Sequence, residues 1–483
     1  MDDITAGLDF GTHQTKICMK TYPNEDFKHP IYEFFKFKTP EGKYSYFLPS
    51  VVQINQDDTL SYGFVDLARR KLAVSSDADA SAHASIDFDV NEVAASLYKQ
   101  YASSFNSVED IPVLTQMLEL YKQKINDSSG RQDCQPATSD SEWITQQDPN
   151  YFQYFKQATF AQRNWKHEIS AEYISIWYLS YVIFLLEHKY GTDFHINMGI
   201  PVSCENYDEK RMYATTILLS AYNLVEEVYA NNLNEFLSET VEELLNKTQI
   251  IFASERLKNE YVINIYPEAY AGLTTLTEMG KLSKGMSLLA DIGGGTTDIS
   301  FFTLSRNKPV IYRYWSIPKG LNFIAEASHM AYDAELLGTM ATDKAVDEFF
   351  QEENKVISQL FQELLSQLIA KTRIPRSNLF KALKDRPLVY NGGGSTILRL
   401  VQPIHYFSDI KLMDASMWKE TNIVNKRGVT RLCQLLTTAY GLSIGRNDKK
   451  EVTLGDFSTL LPELTETYTD NPYNAQHVDK DCC

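Results

Sequence analysis

The sequence predicts an α/β protein with at least two lobes, on three observations. A chain of 483 residues is longer than one hydrophobic core usually organises, so two or more lobes are expected. Two distant stretches share one design: an apolar strand ending in a carboxylate, a turn of glycine and threonine, then a second strand. They are TAGLDFGTHQTKICMK at 5–20 and LLADIGGGTTDISFF at 288–302. A third stretch, PLVYNGGGSTILRL at 387–400, runs from an apolar strand into glycines and then a predicted helix.

The residues of these turns suit a polyphosphate. Gly293, Gly294 and Gly295 lack a Cβ and can take positive φ, so backbone N–H groups can approach phosphate oxygens closely. Asp291, at the end of its strand, is placed to reach a divalent cation through water, and Mg²⁺ accepts carboxylate oxygens together with phosphates. An ordinary tight turn uses the same residue types, so one such hairpin is weak evidence. The first hairpin repeats the arrangement with Asp9, Gly11, Thr12 and Thr15, with His13 beside Thr12. In the third stretch Gly392, Gly393, Gly394, Ser395 and Thr396 let a flat base or ribose lie against the backbone.

Together these motifs resemble the phosphate-1, phosphate-2 and adenosine motifs of the actin, sugar kinase and heat-shock chaperone ATPase superfamily. FLPSVVQI at 47–54 resembles the PSVV strand of DnaK-type chaperones and bacterial actin-like proteins. FHINMGIPVS at 194–203 resembles the first connecting strand, and LLTTAYGLSIG at 435–445 the helix closing the ATPase domain. The resemblance spans residues 4 to 446, with two long gaps. It implies two ribonuclease H-like lobes around a central nucleotide cleft, with ATP or ADP and Mg²⁺ as ligands. Lobe I would occupy 1–281, with a helical insertion at about 75–165 and a closing helix at about 428–446. Lobe II would occupy 282–427, and 447–483 would form an acidic tail.

Composition fits a globular protein that attracts ATP and a cation only locally. The formal net charge is −17, which argues against a general nucleic-acid or anionic-membrane surface. Six cysteines, at 18, 134, 204, 433, 482 and 483, form no C-x-x-C pair and no zinc-like spacing. Reduced thiols in the cytoplasm are the expectation. No signal peptide is read at the N-terminus. The longest apolar run, ISIWYLSYVIFLL at 174–186, is too short to span a bilayer and reads as a buried helix.

In chain order, residues 31–38 and 44–54 read as strands rich in aromatic and β-branched residues. Residues 73–150 change character: small and polar at 75–85, helical in spacing at 90–126, and rich in Ser, Gln and Asp at 127–150. DnaK-type chaperones supply a catalytic lysine from this region, and no clear counterpart is found; Lys71 and Lys99 are candidates by neighbourhood only. Helices follow at 168–190, 206–229 and 231–247, the last acidic and amphipathic. Residues 262–276, VINIYPEAYAGLTTL, read as a strand entering a helix of small residues. The resemblance places a water-orienting carboxylate here: matching the prolines puts Tyr266 at that position, while Glu268 follows Pro267. A strand at 310–315, a helix from the SIPKGLNFIAEA segment and a long helix at 345–371 complete the chain.

The mechanism implied is closure of two lobes on MgATP. Asp9 and Asp291 would hold the Mg²⁺ shell through water, Thr12 and Thr296 would hydrogen-bond phosphates, and Gly293–Gly295 with Thr297 would cradle them. Asp298 reads as structural. Gly392–Gly394 and Ser395 would face the adenosine, and Glu268 would orient water in a slow hydrolysis. The tail is too short for a peptide-binding domain. Three outputs compete: a conformational switch acting on an unidentified partner protein, self-association into actin-like filaments, and, last, a small-molecule kinase.

Overall fold

The computed structural model describes residues 4–22, 29–71, 148–161, 164–203, 206–253, 262–277, 287–305, 308–328, 341, 343–372, 386–404, 407–412, 421–422 and 429–444. Residues 73–144 separate from the rest as a unit of their own and lie outside the described residues, as do Lys99 and the tail at 447–483.

The main body is mixed α/β. β1 (Thr5–Phe10) and β2 (Gln14–Thr21) form the first hairpin, and β3 (Ile31–Phe34) pairs antiparallel with β2. The aromatic segment beyond it is broken into short pieces: β4 (Phe37–Lys38) with β5 (Tyr44–Ser45), β6 (Leu48–Pro49) on β2, and β7 (Val52–Ile54) with β8 (Leu60–Tyr62) and β9 (Tyr151–Phe152). Helix α1 (Phe155–Phe160) follows β9. Residues 148–161, expected inside the insertion, therefore belong to the body, where Phe152, Phe155 and Phe160 are buried. Helix α2 (Ala171–Tyr190), capped by the Ser170 hydroxyl, is buried on most of its surface, as its continuous apolar run requires.

β10 (His195–Ile200) leads to α3 (Tyr207–Asn223), which widens into a π-turn at Leu224–Val228. The acidic helix expected at 231–247 is two helices, α4 (Leu233–Ser238) and α5 (Val241–Phe252). The break falls at Thr240, whose side chain and that of Glu243 form a capping box that starts α5 afresh. β11 (Ile263–Pro267) runs directly into α6 (Glu268–Thr277).

The second half opens with β12 (Ser287–Ile292), β13 (Thr297–Ser305) and β14 (Lys308–Ile317), followed by α7 (Leu321–Ala327) and α8 (Asp343–Thr372). β15 (Arg386–Asn391) is followed by two 3-10 turns, Gly393–Thr396 and Leu398–Leu400, where a helix was expected; Ile397 between them returns to extended backbone and stops propagation. β16 (Phe407–Leu412) and α9 (Val429–Ser443) complete the order.

Among the described residues, the two large sheets repeat one topology. The orders are β11-β10-β1-β2-β3 and β16-β15-β12-β13-β14. In each, the first hairpin strand is central, antiparallel to its partner and parallel to a strand from far downstream, β10 or β15. Helix α9 packs on β1 and α6. That approach requires Gly7 and Gly441, since a Cβ on either would overlap backbone of Ala439 or Ala271.

Candidate functional site

The three glycine segments converge at the ends of β1, β12 and β15. A Cβ on Gly295 would lie 2.8 Å from Thr12 Oγ1 and 2.9 Å from the Gln157 amide. Gln157 Nε2 donates to Gly295 O at 2.8 Å. The turn closes through Gly293 N to Thr296 O at 2.8 Å, and Leu321 N and Asn322 N of α7 donate to Gly293 O and Gly294 O at 3.0 and 2.8 Å. Gly392, with φ of 73°, stands against Asp291 Oδ1 and Ile292 O so closely that no side chain fits. Ser395 and Thr396 turn their hydroxyls back to Gly392 O and Gly393 O, both at 2.7 Å. In the first hairpin, Ser50 Oγ donates to Gly11 O at 2.7 Å. His13 hydrogen-bonds Asn322 Oδ1 and sets its ring against the edge of Tyr154.

Charged side chains gather under these turns. Lys16 Nζ pairs with Asp9 Oδ2 at 2.9 Å. Lys156 pairs with Glu268, and both side chains are nearly sealed, at 4% and 12% exposure. Burial alone would depress the Lys156 ammonium, but Glu268, Asp9 and Asp298 hold it above its ordinary value. Asp291 accepts hydrogen bonds from Asn391 Nδ2 at 2.8 Å and Thr438 Oγ1 at 3.4 Å. Burial, then the charges of Glu268 and Asp9, push its carboxyl up to about 7. Asp298 accepts from Thr296 Oγ1 at 3.0 Å and is pushed well above the usual carboxylate range by burial, Glu268 and Asp291. Thr297 Oγ1 donates to Lys319 O at 3.0 Å.

The structure thus brings together Asp9, Thr12, Glu268, Asp291, Thr296 and the glycine turns. It adds Lys156 and Gln157, which sequence reasoning missed. Their one local signal is YFQYFKQATF, a lysine set among phenylalanines; its Nζ lies 5.8 Å from the centre of the Phe10 ring. Lys71, considered instead, pairs at the surface with Asp58. Of the two candidates either side of the β11–α6 junction, Glu268 meets Lys156, whereas Tyr266 stacks on Tyr270 with ring centres 5.4 Å apart.

Among the described residues no group of three or more His, Cys, Asp or Glu side chains could hold a metal by itself. No described helix is long and apolar enough to cross a membrane. No family model and no curated protein matches the chain. Among solved structures it is similar to ParM from Clostridium botulinum, seen in a 15-stranded filament, with a TM-score of 0.39 and 12% identity over 92% of this chain and 99% of that one. Likeness at that level carries no argument about activity.

Proposed function

We propose that this chain is a Mg²⁺-dependent ATP-binding protein and slow ATPase, built of two ribonuclease H-like lobes on either side of the nucleotide. The observation that carries this reading is the repeated sheet topology, which delivers three glycine turns to one buried acid–lysine cluster. The cluster suits a cation. Four carboxylates, Asp9, Glu268, Asp291 and Asp298, outnumber Lys16 and Lys156 there, and burial first, then the charges of Glu268 and Asp9, raise the Asp291 carboxyl. Two carboxylates completed by water and phosphate are a donor set Mg²⁺ accepts. Two buried atoms at the site, Asn322 Nδ2 and Asn391 Oδ1, lack a protein partner, which a polar ligand would relieve.

Bound MgATP supplies the transferable phosphoryl group and the metal charge that stabilises it. Asp9 and Asp291 would hold the metal through water, Thr12 and Thr296 the phosphates, and Gly392–Gly394 with Ser395 the adenosine. Lys156 fixes Glu268, so that the carboxylate can orient a water without wandering. The output is a conformational switch. Whether it acts on a partner protein or on further copies of this chain separates two readings. The stretch between β14 and β15, residues 318–385, is short for the second variable subdomain of the chaperones that the sequence resembles and more like that of the bacterial actin-like proteins, which supports the assembly reading.

The test is Asp291→Ala. MgATP affinity is expected to fall at least about a hundredfold with thermal unfolding still cooperative, and unchanged affinity overturns the site.

A further inference from the structure

Strand β15 ends in an amide whose two polar atoms meet different fates. Asn391 is fully buried and stands in register with Asp291 on the neighbouring strand β12. Its Nδ2 donates to Asp291 Oδ2 at 2.8 Å and to Thr438 Oγ1 of α9 at 3.3 Å. Thr438 Oγ1 reaches the same Asp291 oxygen at 3.4 Å. A carboxylate oxygen accepts, so the amide must turn its nitrogen to Asp291, and both of its hydrogens are spent on these two partners. Asn391 Oδ1 is thereby left facing away from them, buried and without a hydrogen-bond partner. The amide also has little room to turn: a Cβ on Gly272 of α6 would lie 3.2 Å from Asn391 Nδ2 and 3.9 Å from its Cγ.

We propose that Asn391 is an outer-shell ligand of the hydrated cation at this site: Nδ2 holds Asp291 in place, and Oδ1 accepts a hydrogen from a water on the metal. The role rests on the nucleotide reading given above. A buried acceptor without a partner calls for a donor. Phosphate oxygens offer none, whereas Mg²⁺ keeps several of its waters, each with hydrogens to give. Asp291 commits Oδ2 to Asn391 and Thr438, and its Oδ1 stands at the Gly392 backbone. The carboxylate that would hold the metal through water is therefore oriented by the same amide that carries the spare acceptor. A ribose hydroxyl is the other donor a nucleotide brings, and the experiment separates the two.

ATP affinity of the full chain is measured in EDTA and across a Mg²⁺ titration. Wild type is expected to bind ATP more tightly as Mg²⁺ rises. Asn391→Leu keeps the approximate volume and removes both the donor and the acceptor. It is expected to raise the half-saturating Mg²⁺ concentration at least about tenfold, while ATP affinity in EDTA stays within about threefold of wild type. Gly272→Ala acts from outside the cluster, since its added Cβ crowds Nδ2 while alanine suits the helix. It is expected to raise the Mg²⁺ requirement at least about threefold, and it decides the matter if Asn391→Leu does not fold. Equal losses with and without Mg²⁺ would mean that Asn391 serves the ribose or the fold alone, and they overturn the proposal. An unshifted Mg²⁺ requirement overturns it as well. Wild type that binds ATP equally well in EDTA removes the cation from the site and the proposal with it, whereas wild type that binds no ATP under either condition overturns the nucleotide reading itself and this role with it.

Discussion

Lys156 and Glu268 are 112 residues apart and meet in a nearly dry pair beside Asp9. Removing one partner strands the other as a buried charge, at a cost of about 3–5 kcal/mol. Lys156→Ala should therefore lower the unfolding midpoint and turnover together, and Lys156→Ala/Glu268→Ala should be more stable than Lys156→Ala alone. A double variant that is less stable by the sum of both singles would refute the pairing. Glu268→Gln keeps the shape and removes the charge. It should slow ATP turnover at least about a hundredfold while MgATP binding stays within about threefold; equal losses in both would make Glu268 a binding group rather than a water-orienting one.

At the scale of elements, α9 is the piece that cannot move away from the first sheet. Its Gly441 backbone lies on the Ala271 carbonyl of α6, and its Ala439 and Ser443 backbone lies on Gly7 of β1. Gly441→Val must drive the helices apart, and a loss of at least about 3 kcal/mol in urea unfolding is expected. Thr240→Ala, which removes only the cap of α5, should cost about 1 kcal/mol and leave ATP turnover unchanged. Should the two variants cost the same, the tight packing of α9 is refuted.

For the whole molecule, two sheets of equal topology meeting at one charged cluster predict a nucleotide-dependent shape. Sedimentation velocity with MgATP, MgADP and no nucleotide distinguishes the outputs: a single species that sediments faster with MgATP is a closing switch, and growth into large species is assembly. No change in either respect refutes nucleotide-driven motion. The net charge of −17 opposes association at low salt, so any assembly should strengthen as salt screens it. Much of this architecture was legible beforehand because it is written locally. Apolar runs marked β1 and β12, alternation marked β2, and glycines beside Asp9, Asp291 and Asn391 marked the three turns, since strand pattern and turn residues depend on neighbours in sequence. The broken helix at Thr240 and the 3-10 turns after Gly392 were missed where a cap or an interrupted backbone overrode the apolar pattern. The apolar setting of Lys156 was its one local signal, while its pairing with Glu268, and Asn391 and Thr438 on Asp291, had no sequence signature. Such pairings join segments tens to more than a hundred residues apart, and their energy comes from shared burial, a property that exists only once the sheets and helices have packed.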